Sequence, residues 1–370
     1  MKYYIIAGEA SGDLHASNLV KALQELDPAF TARGWGGDLM KARGVDLVKH
    51  YRELAFMGFV EVIANLRTIL RNITFCKKDI QQYRPDVLIL VDYPGFNLRI
   101  ADFARKEGLK VIYYISPQIW AWKQSRVHQI KRDVDRMLCI LPFEKDFYSK
   151  FGVSVDFTGH PLLDAIASRN VSSNWKKDHQ LDDKPLIAVL PGSRKQEIAT
   201  MLPLMLSVAD DFPNHRFVVA AAPSVEPEFY NRFTAGREVK LVFGKTYDLL
   251  ENAEAALVTS GTATLETALF NVPQVVCYKG NKLSYHIARQ LIKVKYISLV
   301  NLIMDEQVVT ELIQDDLNTA RIRAELSEVI AGGKRRENLL IQYSALKKKL
   351  GGPGASARAA SIIMDQLKKG

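Results

Sequence analysis

Eight short apolar runs constrain this chain most strongly: residues 3–7, 87–91, 111–115, 137–141, 186–190, 216–220, 255–258 and 274–278. They alternate with stretches of helical periodicity at 14–26, 100–107, 202–210 and 263–270. A strand that is apolar at every position has no solvent face, so both sides must be covered, as helices cover the two faces of a parallel sheet. The alternation is interrupted once, at 168–185, where SRNVSSNWKKDHQLDDKP is polar and has no periodicity. The pattern predicts an α/β chain of two Rossmann-like domains, each with a doubly wound parallel sheet, facing across a cleft. Their expected bounds are 1–167 and 186–345, joined by a linker at 168–185. A length of 370 residues is enough for two full cores. The break at Gly351-Gly352-Pro353-Gly354 sets off a helical tail, 346–370, expected to pack back on the first domain.

The three cysteines, Cys76, Cys139 and Cys277, are odd in number and far apart. They form neither a disulfide framework nor a metal-ligand spacing, which points to a reducing compartment. The run at 3–7 is too short for the apolar core of a signal peptide, and no stretch approaches the roughly 18 apolar residues of a membrane span. A cytoplasmic protein is expected. Net charge is +9, and residues 331–370 hold nine Lys or Arg against Glu337 and Asp365. Such a tail is foremost a solvated helix face, then an anionic-lipid contact. No nucleic-acid module accompanies it, so nucleic acid is not an expected partner.

Three strand-to-helix junctions are rich in small residues: Gly8-Glu9-Ala10-Ser11-Gly12-Asp13, Pro191-Gly192-Ser193-Arg194 and Ser260-Gly261-Thr262. A glycine lets backbone approach a ligand, and free amides at a helix start point at an anion. Taken singly, such a turn is as often a packing device. Two of them in the second domain, one carrying Arg194 as a charge-assisted donor, favour a diphosphate site. The first loop lacks the G-x-G-x-x-G spacing of dinucleotide folds, and an ATP-type glycine-lysine ending is absent. Glu266 lies one turn beyond Thr262, on the face where it can accept from ribose hydroxyls or simply meet the helix dipole.

Asp92 closes the run 87–91 in VDYPGFN and can act as a general base, with helix capping as the competing role. Glu9, Ser11 and Asp13 are expected to line the site beside it. Asp133-Val134-Asp135 imitates a metal-binding D-x-D but precedes a strand, at the wrong end for a site. No cluster has metal-ligand spacing, so neither metal nor cofactor is expected. His160 reads as structural. Trp120 and Trp122 are candidates for the acceptor side, with aromatic core as the alternative. Residues 56–83 are amphipathic and basic. Leu66, Ile69 and Ile73 are the expected membrane-facing positions, although a core helix explains most of the same pattern.

Together the stretches AGEASGDLHA (7–16), SPQIWAW (116–122), LPFE (141–144), TGHPLLD (158–164), LPGSRKQEI (190–198) and TSGTATLE (259–266) resemble the lipid-A-disaccharide synthase family. The resemblance spans both domains and implies a glycosyltransferase B fold. It implies an inverting hexosyltransferase that joins UDP-2,3-diacylglucosamine to 2,3-diacylglucosamine 1-phosphate, with Asp92 deprotonating the acceptor 6-hydroxyl. Gly192, Ser193, Arg194, Ser260, Gly261 and Thr262 would hold the UDP, with Glu266 and Asn301 on its nucleoside side. The resemblance also implies work at the inner face of the Gram-negative inner membrane, and a homodimer is a possible state. Two positions depart from the family pattern. Gly95 in YPGFN stands where a second aspartate is usual, which leaves Asp92 the stronger base, and Val300 replaces a usual proline before Asn301. The alternatives are another UDP-N-acetylglucosamine enzyme of the same fold, such as a cell-wall transferase or a 2-epimerase, and an inactive nucleotide-sugar or lipid-binding protein.

Overall fold

The computed structural model describes residues 1–54, 66–169, 174–281 and 294–368. They fall into two compact units, Met1–Ala167 with Leu350–Gly370, and Ser168–Lys349.

The described residues of the first unit build a seven-stranded parallel sheet from β1 (Lys2–Ala7), β2 (Thr31–Gly36), β3 (Asp46–His50), β4 (Val87–Val91), β5 (Lys110–Tyr114), β6 (Arg136–Cys139) and β7 (Asp156–Phe157). The order is β3-β2-β1-β4-β5-β6-β7, so the winding direction reverses between β1 and β4. At such a switch point two strand ends open side by side, where α/β folds place their ligands. Ala7 pairs with Val91, which sets the Gly8-Glu9 turn next to Asp92. All five residues of β4 are buried, as a central strand covered on both faces requires.

Helix Leu66–Tyr83 covers this sheet through one face, on which Ile69, Ile73, Cys76 and Ile80 recur at helical spacing. A buried polar network fixes it. The Tyr4 hydroxyl donates to Asp79 at 2.6 Å and accepts from Trp35 Nε1 at 3.1 Å, while Arg33 donates to both oxygens of Asp79. Ile69 and Ile73 are therefore core residues and not membrane-facing, contrary to the sequence expectation. The helical period turns them to the sheet and leaves Leu70 and Phe75, 51% and 46% exposed, on the outer face. The side chain of Leu66, and residues 56–65 of the amphipathic segment, lie outside the described residues.

The second unit's described residues form a six-stranded parallel sheet from β8 (Leu186–Leu190), β9 (Arg216–Ala221), β10 (Val239–Phe243), β11 (Ala253–Thr259), β12 (Gln274–Tyr278) and β13 (Thr310–Ile313), in the order β10-β9-β8-β11-β12-β13. Its switch point lies between β8 and β11, whose following turns are 191–194 and 260–261. The described residues of the expected linker, 168–169 and 174–185, belong to this unit. Trp175, 2% exposed, is packed with Leu186, Ala188 and Val218 in the core, and Leu181 packs against the same cluster. One large aromatic side chain carries enough apolar area to pin an otherwise polar stretch.

The helix Arg336–Leu350 stays with the second unit as far as Lys349, whose Nζ donates to the Ile303 carbonyl at 2.9 Å. The tail thus parts four residues later than the expected start at 346: Tyr343 and Leu346 are buried, and the Tyr343 hydroxyl accepts from Gln274 of β12 at 3.4 Å. The last helix, Ala355–Lys368, packs on helix Ala10–Leu26 of the first unit. Asp164 caps it, accepting from the amides of Gly354, Ala355 and Ser356 at 2.5, 3.3 and 2.8 Å. Arg358 donates back to the Thr158 carbonyl at 2.8 Å. Most of the tail's basic residues are engaged within the fold. Arg335 pairs with Glu325, and Arg336, Lys347, Lys349 and Arg358 donate to carbonyl or amide oxygens.

Asp164→Ala removes the acceptor of three amides at one helix start. It is expected to lower stability by about 1–3 kcal/mol in urea unfolding, while Asp164→Asn, which keeps an acceptor oxygen, loses less.

Candidate active site

In the second unit, the turns at the switch point enclose a pocket of about 450 Å³. Gly192, Ser193, Arg194, Ser260, Gly261, Thr262 and Glu266 line it together, which brings seven of the eight expected donor-side residues to one place. Helix Lys195–Met205 starts immediately after Arg194 and helix Thr262–Leu269 after Gly261, and neither start is capped by a side chain. Two helix starts opening on one pocket suit an anion. Gly192 is required there twice over. Its φ is +106°, and a Cβ would fall 2.0 Å from a Glu197 carboxylate oxygen that accepts from the Ser193 amide.

Burial raises the pKa of Glu266 above the usual carboxylate range, while the Tyr247 hydroxyl donates to it at 3.3 Å and works the other way. Thr246 and the Ala222-Pro223 corner after β9 also line the pocket. Sequence reasoning missed them because small or apolar residues at a strand end have no distinctive chemistry. Asn301 is not part of this pocket's lining. It is fully buried, donating to the Val309 carbonyl and Glu311 and accepting from the amides of Val308 and Val309, all at 2.9 Å. Its amide braces the turn before β13 and leaves nothing for a nucleotide.

In the first unit, Asp92 follows β4 in an unusual backbone conformation. Asp92 and Tyr93 both lie in the left-handed region, at φ +46° and +49°. Two such non-glycine residues in succession are each strained by about 1–3 kcal/mol and persist only when their surroundings dictate the turn. Here the Asp92 carbonyl accepts from Asn97 Nδ2 at 2.7 Å and from the Tyr113 hydroxyl at 2.6 Å, and its amide donates to Tyr114 at 3.1 Å. Asn97 also donates to the Val91 carbonyl at 3.2 Å. On the other side the Tyr93 ring lies over Gly8, where a Cβ would come 2.3 Å from it. Burial, reinforced by the neighbouring Glu9 carboxylate, pushes the Asp92 pKa up to about 7. Tyr113 is hidden in an apolar run and has no distinguishing pattern, whereas Asn97 stands in plain view within YPGFN.

The remaining acceptor-side expectations separate. Helix Ala10–Leu26 takes in Ser11, Gly12 and Asp13, so the first glycine-rich junction shrinks to Gly8-Glu9. Ser11 is exposed. Asp13 is buried and caps helix Asp38–Ala42, accepting from the amides of Gly37, Leu39 and Met40 at 2.8–3.1 Å. It is a structural carboxylate and does not line the site. Trp120 is core, its Nε1 donating to the buried Glu144 at 3.3 Å and its ring edge-on to Phe143. Trp122 is 51% exposed. Burial depresses the His160 pKa to about 3, and its Nδ1 accepts from the Leu162 amide at 3.2 Å. Asp133 pairs with Arg132, and Asp135 accepts from the Val111 amide at 2.8 Å. Among the described residues, no group of three or more His, Cys, Asp or Glu is gathered as a metal site would need.

Two doubly wound units, one with an anion-ready pocket and one with a half-buried carboxylate at its switch point, define a glycosyltransferase B class of fold. Solved structures with that fold include the UDP-GlcNAc 2-epimerase of Neisseria meningitidis bound to UDP-GlcNAc, at TM-score 0.69 and 14% identity, each chain covered in full. The calicheamicin glycosyltransferase matches at TM-score 0.63 and 16% identity over 99% of this chain and 98% of that one. The chain belongs to the lipid-A-disaccharide synthase family: the family model described as lipid-A-disaccharide synthetase matches residues 3–363. The lipid-A-disaccharide synthase of Syntrophus aciditrophicus is 42% identical over 373 residues, covering 99% of this chain and 97% of that protein. The chain is accordingly a hexosyltransferase of lipid A biosynthesis, acting on lipid-linked sugars. No described helix is long and apolar enough to cross a membrane.

Asn97→Ala leaves the Val91 and Asp92 carbonyls without their amide donor. A loss of about 1–3 kcal/mol in chemical denaturation is expected. Turnover measured well below the unfolding transition should fall further than the unfolded fraction explains, because the Asp92 turn relaxes.

Proposed function

We propose that this chain transfers 2,3-diacylglucosamine from its UDP donor to the 6-hydroxyl of 2,3-diacylglucosamine 1-phosphate. A β-1,6 bond forms with inversion, the bond from the anomeric carbon to the diphosphate breaks, and UDP leaves. The observation that carries the reading is Asp92, a carboxylate held in a strained turn at a switch point with its pKa raised to about 7. A base serves best when its pKa lies near the working pH, strong enough to take a proton and still deprotonated. Asp92 takes the acceptor hydroxyl's proton as that oxygen attacks. Uncapped helix starts beside Gly192 and Gly261, with Arg194, meet the charge that develops on the departing diphosphate. Glu266 takes the ribose hydroxyls.

The acyl chains of both substrates place the reaction at a lipid surface. Helix Leu66–Tyr83 offers a fitting outer face, with Leu70 and Phe75 exposed among Arg67, Arg71 and Lys78. We assign it to peripheral association with the cytoplasmic leaflet.

UDP release from purified protein tests the reaction. Release from the UDP-diacylglucosamine donor should require the acceptor, and Asp92→Ala should lower it at least about 100-fold. Release without acceptor would sink the transfer reading in favour of an epimerase-like activity, and none at all in favour of a binding protein. The sign with pH follows from the base role: protonation abolishes it, so kcat/KM should rise tenfold per pH unit below about 7 and level off above it. A profile that is flat from pH 5 to 8 would remove Asp92 as the base. On the membrane side, Leu70→Ser should cut flotation with anionic vesicles with little shift of the unfolding midpoint, whereas Ile73→Ser should chiefly destabilise the fold.

A further inference from the structure

The first unit carries cations at both ends of its sheet, and they are treated differently. At the amino ends of the strands they are neutralised: Arg105 pairs with Asp135, Lys106 and Arg132 with Asp102, and Arg136 with Asp156. At the carboxyl ends, where Asp92 lies, Lys123 and Arg126 follow β5 and Arg99 lies in the helix that follows β4. No carboxylate among the described residues forms an ion pair with any of these three. They repel one another as well. Burial and then the Arg126 charge depress the pKa of Lys123; that of Arg126 is depressed by burial, with Tyr113 acting the other way and the Arg99 charge adding to the depression.

Two further features make the arrangement unfavourable as it stands. Arg126 is the first residue of helix Arg126–Asp133, next to the positive end of its dipole, where a cation is normally avoided. Lys123 and Arg126 also share one partner, the exposed Trp122 ring, at 4.4 and 6.0 Å from its centroid. A tryptophan face at an exposed site holds a cation only weakly, which does not offset a cluster of like charges. An arriving anion would relieve all of these repulsions together. The cluster also lies close to the reacting end of the unit: the Arg126 charge is felt at Tyr113, whose hydroxyl donates to the Asp92 carbonyl at 2.6 Å.

We propose that Lys123 and Arg126, over the exposed Trp122, with Arg99 near enough to Arg126 for its charge to be felt there, form the subsite that takes the phosphate monoester of the acceptor sugar. This rests on the transfer reading above and adds the group by which the acceptor is chosen. The guanidinium of Arg126 and the ammonium of Lys123 pair with the dianion's oxygens, and the Trp122 ring supplies an apolar face for the sugar that bears it. An acceptor without the phosphate would leave the three cations unpaired and be rejected on that account.

The test compares UDP release with diacylglucosamine 1-phosphate and with the same acceptor after phosphatase treatment, using the full chain in neutral detergent micelles. Wild type should prefer the phosphorylated acceptor. Lys123→Ala with Arg126→Ala should raise the acceptor KM about tenfold or more, erase the preference and leave the donor KM within about twofold. Lys123→Arg with Arg126→Lys should keep the preference, and the two glutamine variants supply the same comparison should the alanine pair unfold. An unchanged acceptor KM, or a wild type indifferent to the phosphate, overturns the proposal. So does an unchanged KM in micelles with lost binding to phosphatidylglycerol vesicles, which would make the cluster a lipid-headgroup contact. A wild type that releases no UDP with either acceptor removes the transfer reading, and the subsite with it.

Discussion

The Asp92 carbonyl, gripped by Asn97 and Tyr113, is the interaction on which the shape of the first unit's switch point depends. Without those two donors, nothing on that side of the turn holds two successive left-handed residues against their tendency to relax. The grip works only because β4 and β5 run side by side, so that a tyrosine one residue short of the end of β5 reaches the end of β4. Gly8 completes the enclosure from β1 by leaving room for the Tyr93 ring. Three adjacent strands thus converge on one carboxylate. Its burial, and the Glu9 charge, follow from the same convergence.

The second unit solves a different problem with the same architecture. Its switch point gathers backbone amides at two helix starts, with the side chains of Arg194, Glu197 and Glu266 beside them. The pocket is therefore built mostly from conformation, with Gly192 and Gly261 at φ values of +106° and +151°. That difference explains what the sequence could disclose. Glycine-rich turns after apolar strands are visible in a sequence because the glycines are demanded by local geometry. The bracing of Asp92 is not, because a buried tyrosine inside an apolar run looks like any other core residue.

The same reasoning accounts for the fold-level differences. The central strands β1, β4, β8 and β11 were legible because burial on both faces makes them apolar throughout. The edge strands β3 and β10 are covered on one side and partly exposed, and β2 contains Arg33 and two glycines, so their patterns fall below notice. Asp13, Ile69, Ile73 and Asn301 have the residue types that a site or a membrane face would use. Each turned out to serve the interior, as a cap, a core contact or a loop brace. Residue type gives what a side chain can do, and only the helical phase and its neighbours say which way it is turned. Trp120 and Trp122, two residues apart, illustrate this: one is core and one is exposed.

The docking of helix Ala355–Lys368 makes the first unit discontinuous along the chain, with the whole of Ser168–Lys349 inserted between its parts. On the ribosome, chains fold largely in the order in which they emerge. The second unit is contiguous and can close as soon as its last helix is made. The first unit, although its sheet is synthesised earlier, keeps the face of helix Ala10–Leu26 uncovered and Asp164 without its amide partners until the final residues appear. Completion of the unit that carries Asp92 is thus tied to completion of the chain, so a product truncated before residue 354 would retain the second unit's pocket without a finished first unit.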